Sequence, residues 1–158
     1  MEQRLDKTDL KLVASLEQQG RISFASLGEQ VGLSKSPCWK RVNEMENAGV
    51  ITGYQAKLDP FALGLHIHAL VHVVVDFERY QAFEAAIEAH TAVRACYAVT
   101  GEYDYVVEVF ARDIDDFDQL LRANLSKIPG VQRFQTAIAT RTVKQQGPFS
   151  LMLPGRSG

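Results

Sequence analysis

The chain has 158 residues, a formal net charge of -2, and a hydrophobic share of 46% against 23% charged. Those proportions exclude wholesale disorder and allow one ordinary domain or two small ones. The charge balance also argues against a protein that coats nucleic acid non-specifically, although Arg21, Lys35, Lys40 and Arg41 make a local basic patch opposed only by Glu29.

In chain order, Leu5-Asp6-Lys7-Thr8-Asp9-Leu10 reads as a helix start. Asp6 can cap it, Asp9 suits the positive end of the macrodipole, and Leu5 can staple onto Leu10. Leu10, Val13, Ala14 and Leu16 form its expected buried face, and Gly20 ends it. Ser23 opens a second helix, with Leu27 and Val31 inward and Gly32 as a left-handed stop. After a very short turn, Ser34 can cap a third helix, and Pro37 is tolerated only in a first turn. Cys38, Val42 and Met45, with Trp39 beside them, recur at helical spacing as an inward stripe, leaving Lys35, Ser36, Lys40, Arg41 and Glu44 outward. Gly49 closes this helix, and Val50 to Leu58 alternates between glycines, so it is predicted to be extended. Three short helices and a strand make a winged helix-turn-helix; a small three-helix bundle fits the same pattern.

Asp59-Pro60-Phe61-Ala62-Leu63-Gly64 marks a boundary, beyond which the period changes from helical to two. His66 to Phe77 is a strand with Ile67, Ala69, Val71, Val73 and Val75 on one face and His66, His68, Leu70, His72 and Val74 on the other. A helix over 78–90 follows, with Phe83 and Ile87 inward, then strands over 93–100 and 105–111 joined tightly by 101–104. Asp113 caps a helix carrying Phe117, Leu120, Leu121, Leu125 and Ile128 inward, Pro129-Gly130 stops it, and 131–144 is a last long strand. The order is β-α-β-β-α-β, helices on one face of an antiparallel sheet. The fold class is therefore α+β: a winged helix-turn-helix over 1–58, a linker over 59–65, a ferredoxin-like βαββαβ domain over 66–145, and a loosely held tail over 146–158. The second sheet face is left apolar and uncovered, which predicts a homodimer.

A rigid helix showing short polar and basic residues at its N-terminal end suits a DNA major groove. Ser34, Lys35, Ser36, Lys40 and Arg41 are the candidate readers, and some of them, with Arg21, are expected to touch only phosphate. An ordinary surface helix with a solvated charged face is the plainer alternative. His66, His68 and His72 share a strand face, yet no Cys, Asp or Glu in that run completes a ligand set, so no metal is expected. No nucleophile elbow, phosphate-cradling glycine loop or metalloprotease pair appears, and Asp113, Asp115, Asp116 and Asp118 read as a helix start; no catalytic residue and no cofactor are expected. Cys38 and Cys96 make neither a disulfide framework nor a zinc pattern. With no signal-like stretch after Met1-Glu2-Gln3-Arg4 and no apolar run of membrane-spanning length, the protein is expected to be cytoplasmic and without a membrane partner.

Leu5-Asp6-x-x-Asp9, Gly20-Arg21-Ile22-Ser23, Val31-Gly32-Leu33-Ser34, Pro37-Cys38-Trp39-Lys40-Arg41-Val42, Gly49-Val50-Ile51-x-Gly53-Tyr54, Gly101-Glu102-Tyr103-Asp104-Tyr105 and Leu125-x-x-Ile128-Pro129-Gly130-Val131 run in order through nearly the whole chain. Together they resemble the leucine-responsive regulatory protein/AsnC family of bacterial and archaeal transcription regulators. The resemblance implies a DNA-reading winged domain, a RAM-type ferredoxin-like effector and assembly domain, dimers associating into octamers, and a small effector, usually an amino acid. It also implies that Gly101, Tyr103 and Asp104, with Thr100 and Glu102 beside them, lie at the effector pocket. Asp104 would accept from the effector's ammonium, and backbone N–H groups around Gly101 would hold its carboxylate. On residue pattern alone, the same stretch is a hairpin turn whose Gly101 permits the bend and whose Tyr103 and Tyr105 pack. An architectural DNA-binding protein without an effector shares all these features.

Overall fold

The structure, a computed structural model, describes residues 5–153. The expectations for residues 1–4 and for 154–158 lie outside the described residues. The described chain forms two compact units, residues 5–57 with 144–153 and residues 58–143.

The first unit is built from α1 (Lys7–Gln18), α2 (Phe24–Val31) and α3 (Lys35–Asn47). Asp6 starts α1 with a full capping box: its carboxylate accepts from the Thr8 and Asp9 N–H groups, and Asp9 accepts in return from the Asp6 N–H. The fully buried residue of this helix is Leu12, which lies beside the expected stripe of Leu10, Val13 and Leu16, all half-buried. Leu12, Leu27, Cys38, Val42 and Met45 close into one core, with Leu5, Val31 and Ile51 packed around it. Between α2 and α3 the chain turns at Gly32, whose φ of 74° is the left-handed stop expected there. The turn is tight because Gly28 has no side chain. A Cβ there would stand 2.5 Å from the Leu33 carbonyl oxygen, and the Leu33 N–H donates to the Gly28 carbonyl at 2.8 Å.

Three local expectations change. Ser34 takes the extended N-cap backbone of α3, but its hydroxyl makes no capping bond. Trp39 is 52% exposed, off the inward stripe, because Cys38, Val42 and Met45 already fill the width that a short helix can bury. Residues 50–58 form no strand: among the described residues no segment offers them a ladder, and an unpaired strand has nothing to bond its N–H and C=O groups. Here Tyr54 instead donates its hydroxyl to Glu46 at 2.8 Å, and burial followed by that carboxylate pushes the phenol up to about 12.

The tail also differs from expectation. The Phe149 and Ser150 N–H groups donate to the Glu17 carboxylate of α1 at 2.6 and 3.0 Å, and Ser150 is 3% exposed. A glycine- and proline-rich composition leaves the chain free to turn here, but one carboxylate satisfying two backbone donors fixes it.

The second unit comprises β1 (Ile67–Val75), α4 (Tyr80–Glu88), β2 (Val93–Ala98), β3 (Tyr105–Ala111), α5 (Ile114–Gln119) and β4 (Val131–Ile138). Its strands lie in the order β2-β3-β1-β4 with every pairing antiparallel, the ferredoxin-like arrangement. Ala69, Val71, Val73 and Val75 of β1 and Tyr105, Val107, Val109 and Ala111 of β3 alternate inward and meet Phe83 and Ile87 of α4 and Phe117 of α5. Phe83 and Tyr105 pack with ring centroids 4.7 Å apart. Fully burying each such side chain stabilises the fold by about 1.5–3 kcal/mol.

Elements are shorter than their sequence patterns. β1 ends at Val75, and Phe77 lies on the surface in a 3₁₀ turn leading into α4. The helix predicted through Ile128 is α-helical only to Gln119, then passes through a π turn over Leu120–Asn124 and a 3₁₀ turn over Leu125–Lys127. Leu120, Leu125 and Ile128 are five and three residues apart, so the winding loosens and then tightens to keep all three buried. β4 stops at Ile138 rather than Lys144 because its partner β1 begins at Ile67; the last bond runs from the Ala139 N–H to the His68 carbonyl.

Candidate functional site

In the helical unit, Ser36, Lys40, Asn43 and Asn47 follow helical spacing along the side of α3 opposite Cys38, Val42 and Met45. Ser34, Lys35, Ser36 and Lys40 are exposed, as is Arg21 in the turn before α2. Lys40 lies 3.9 Å from Glu44 one turn on, a loose surface pair that leaves its ammonium available. Sequence reasoning misses Asn43 and Asn47, although their i+3 and i+7 spacing from Lys40 is readable.

Arg41 has a different place. Its Nη1 donates to Asp6 at 2.7 Å and to Asp9 at 2.8 Å, the two acids of the α1 capping box. The Asp9 bond and then the Asp6 bond hold the guanidinium above its usual range. The Asp9 N–H and then Arg41 hold the Asp6 carboxyl below its own. Arg41 sits at the edge of the buried stripe, one step round the helix from Lys40, and there its Nη1 ties α3 to the start of α1 while its side chain keeps 35% exposure. Cys38 lies fully inside, and burial pushes its thiol up.

In the sheet unit, Thr100 to Asp104 connect β2 to β3 at the end where β1 finishes and β4 begins. Gly101 has φ 123°, in the left-handed region, with open space where a Cβ would stand. Asp104 is exposed, yet it is tied into the sheet. Its N–H donates to the Val73 carbonyl at 2.9 Å, and its Oδ2 accepts from the Val75 N–H at 2.8 Å. The carboxylate thus carries the bonding on to Val75, the last residue of β1, leaving one oxygen for any other partner.

Tyr103 turns onto the open sheet face. Its hydroxyl donates to the Gln135 side-chain oxygen, its ring lies 5.3 Å from His72, and the Arg133 guanidinium sits 5.3 Å from the ring centroid. Arg133 Nη2 donates to Glu102 Oε1 at 3.3 Å. Arg133 and Gln135 arrive from β4 through a pairing register that no local sequence pattern specifies. Further along the same face, His68 stacks on Phe110 with centroids 4.4 Å apart and bonds Glu108 at 2.7 Å, while His66 meets Phe61 edge-on. The three histidines thus have separate neighbours.

Comparison with known proteins finds a family for each part of the chain. Residues 5–52 match the winged helix-turn-helix DNA-binding family, and residues 68–149 match the Lrp/AsnC ligand binding domain. The leucine-responsive regulatory protein of Haemophilus influenzae is 34% identical over 144 residues, covering 89% of this chain and 87% of its own length. The transcriptional regulatory protein DoeX of Halomonas elongata is 38% identical over 145 residues, covering 90% and 92%. Among solved structures, a transcriptional regulator from Neisseria meningitidis in complex with L-Met superposes with a TM-score of 0.89 at 32% identity, covering 92% of this chain and 96% of that one. AsnC of E. coli superposes with a TM-score of 0.86 at 25% identity, covering 92% and 98%. A reading helix over its own small core, and a sheet with a glycine loop at one end, are thus the two halves of a known architecture, and the chain belongs to the Lrp/AsnC family of transcriptional regulators.

Proposed function

We propose that this regulator binds specific operators as a cytoplasmic homodimer, or a higher assembly such as an octamer, and that an amino acid bound at Thr100–Asp104 shifts its operator affinity or assembly. The observation that carries the DNA half is the exposed run of Ser34, Lys35, Ser36 and Lys40 on the solvent side of α3, anchored by a buried stripe. Side chains of these types reach base edges and phosphates when a recognition helix enters the major groove. Asn43 adds an amide matched to adenine, and Arg21 supplies a phosphate contact.

The dimer reading is supported by the open sheet face, where Leu70, Val74, Val106 and Phe110 stand half-buried with no described helix of the same unit over them. Two copies pairing through this face would present two recognition helices to two half-sites. The effector reading is supported by the bound L-Met of the Neisseria relative and by the polar cluster around Tyr103. An effector acts only through its differential affinity for two states. The test is a gel shift on the DNA upstream of the chain's own coding sequence and on random DNA, each with and without the twenty amino acids. Specific retardation that one amino acid changes supports the proposal. Equal affinity for both DNAs and no amino-acid effect would favour the architectural reading.

A further inference from the structure

We infer that Glu102 and Arg133 form a charge pair that reads both ends of a zwitterion, Arg133 taking the α-carboxylate of the amino acid and Glu102 its α-ammonium. This rests on the proposal that the effector is an amino acid, and it changes which groups do the recognising. Asp104 has one oxygen bonded to the Val75 N–H and is held in the sheet ladder, so it positions the loop. Both acids are exposed, but Glu102 is the one that faces a cation: its side chain is 69% exposed, and Arg133, 57% exposed, stands 3.3 Å away.

The geometry suits an exchange of partners. At 3.3 Å the two groups satisfy one another in the absence of ligand. An exposed pair of this kind adds little to stability, so opening it costs little. A zwitterion inserted between them replaces one ion pair with two, and a guanidinium can grip a carboxylate through two parallel hydrogen bonds. Tyr103 limits the entropy lost on binding. Its ring lies under the guanidinium and is itself braced by Gln135 and His72, so Arg133 is already oriented before ligand arrives. Both charged groups address the part common to all amino acids; discrimination among side chains belongs to other surfaces.

The test uses the full chain and isothermal titration with each of the twenty L-amino acids. The tightest binder is then compared with its α-decarboxylated amine and its α-deaminated acid, on wild type, Arg133→Gln, Arg133→Lys and Glu102→Gln. On wild type, both analogues should bind at least about tenfold more weakly than the amino acid, as expected when a charge-assisted hydrogen bond is removed. Arg133→Gln should weaken the amino acid by about tenfold or more while leaving the amine unchanged, and Glu102→Gln should weaken the amino acid while sparing the acid. Arg133→Lys should fall between, keeping the charge but losing the fork. A general loss of structure would weaken all three ligands together and would not produce this crossed pattern. If an amino acid binds wild type and Arg133→Gln binds it within twofold, the charge-pair inference is overturned and the amino-acid reading stands. If none of the twenty binds wild type, the amino-acid reading falls and takes the inference with it.

Discussion

The two units hold themselves together in different ways. In the sheet unit, inward residues of β1 and β3 meet two helices in one continuous apolar layer, and side-chain packing carries the stability. In the helical unit the core is a small cluster around Leu12, Leu27 and Val42, and point devices supplement it: the Asp6 capping box, the Arg41 clamp, the close approach at Gly28 and the tail bonds to Glu17. The difference follows from what each unit shows to solvent. A reading helix must keep much of its circumference polar, so fewer of its residues are left to bury, and directional bonds fix what packing cannot. The sheet buries one face and leaves the other open, so it gives up less of its apolar side chains.

The largest effects should come from breaking each unit by its own means. Phe83→Ala removes a fully buried ring from the sheet unit and should cost about 3–5 kcal/mol. Gly28→Ala drives a Cβ onto the Leu33 carbonyl and should cost the helical unit about 1–3 kcal/mol, the range for overpacking a tight site. Residue-resolved amide exchange checks both. Phe83→Ala should lower protection across β1 and β3 more than in α1–α3, and Gly28→Ala should do the reverse. A uniform loss in either variant would mean that the two units unfold as one.

A smaller effect sharpens the contrast within α3 itself. Lys40→Ala should weaken operator binding and reduce the slope of log affinity against log salt by about one for each phosphate that Lys40 neutralises. Arg41→Ala should leave that slope nearly unchanged. It would instead lower the unfolding midpoint of the helical unit, since Asp6 and Asp9 would lose their shared cation. Gel shifts over a salt series, with thermal melts of the same samples, separate the two residues. A slope change for Arg41→Ala equal to that for Lys40→Ala would mean that Arg41 contacts phosphate as Lys40 does.

These residues also show where a sequence can be read and where it cannot. The period-2 strand with Ala69, Val71 and Val73 inward, the stripe of Cys38, Val42 and Met45, the Asp6 cap and the stop at Gly32 are local patterns, and the structure has each of them. Arg41 escapes such a reading because helical spacing places it only at a boundary; its acids lie 32 and 35 residues earlier in the chain. Spacing cannot show that Asp104 bonds Val75, or that Arg133 and Gln135 flank Tyr103, because those facts depend on strand order and register. The end of β4 and the seating of the tail are hidden for the same reason. Each depends on a partner that begins or ends elsewhere in the chain.

The tail gives the smallest and most specific expectation. Burial pushes the Glu17 carboxyl upward, but the Ser150 N–H and hydroxyl and the Phe149 N–H outweigh it and hold the group below its ordinary 4.5. The folded value is depressed, so the stabilisation from this carboxylate is fully present above the unfolded value and is lost as pH falls through the folded one. The Phe149 and Ser150 amides should therefore exchange faster, relative to their intrinsic rates, as pH drops from about 5 to 3, while amides in the middle of α1 hold their protection. Glu17→Gln keeps an acceptor oxygen but removes the titrating group, so its tail amides should be less protected at neutral pH and show no such acid-dependent loss. Wild-type tail amides as unprotected at pH 6 as at pH 3 would mean that the tail is not held by this carboxylate, and the helical unit would then rest on its core, its cap and Arg41.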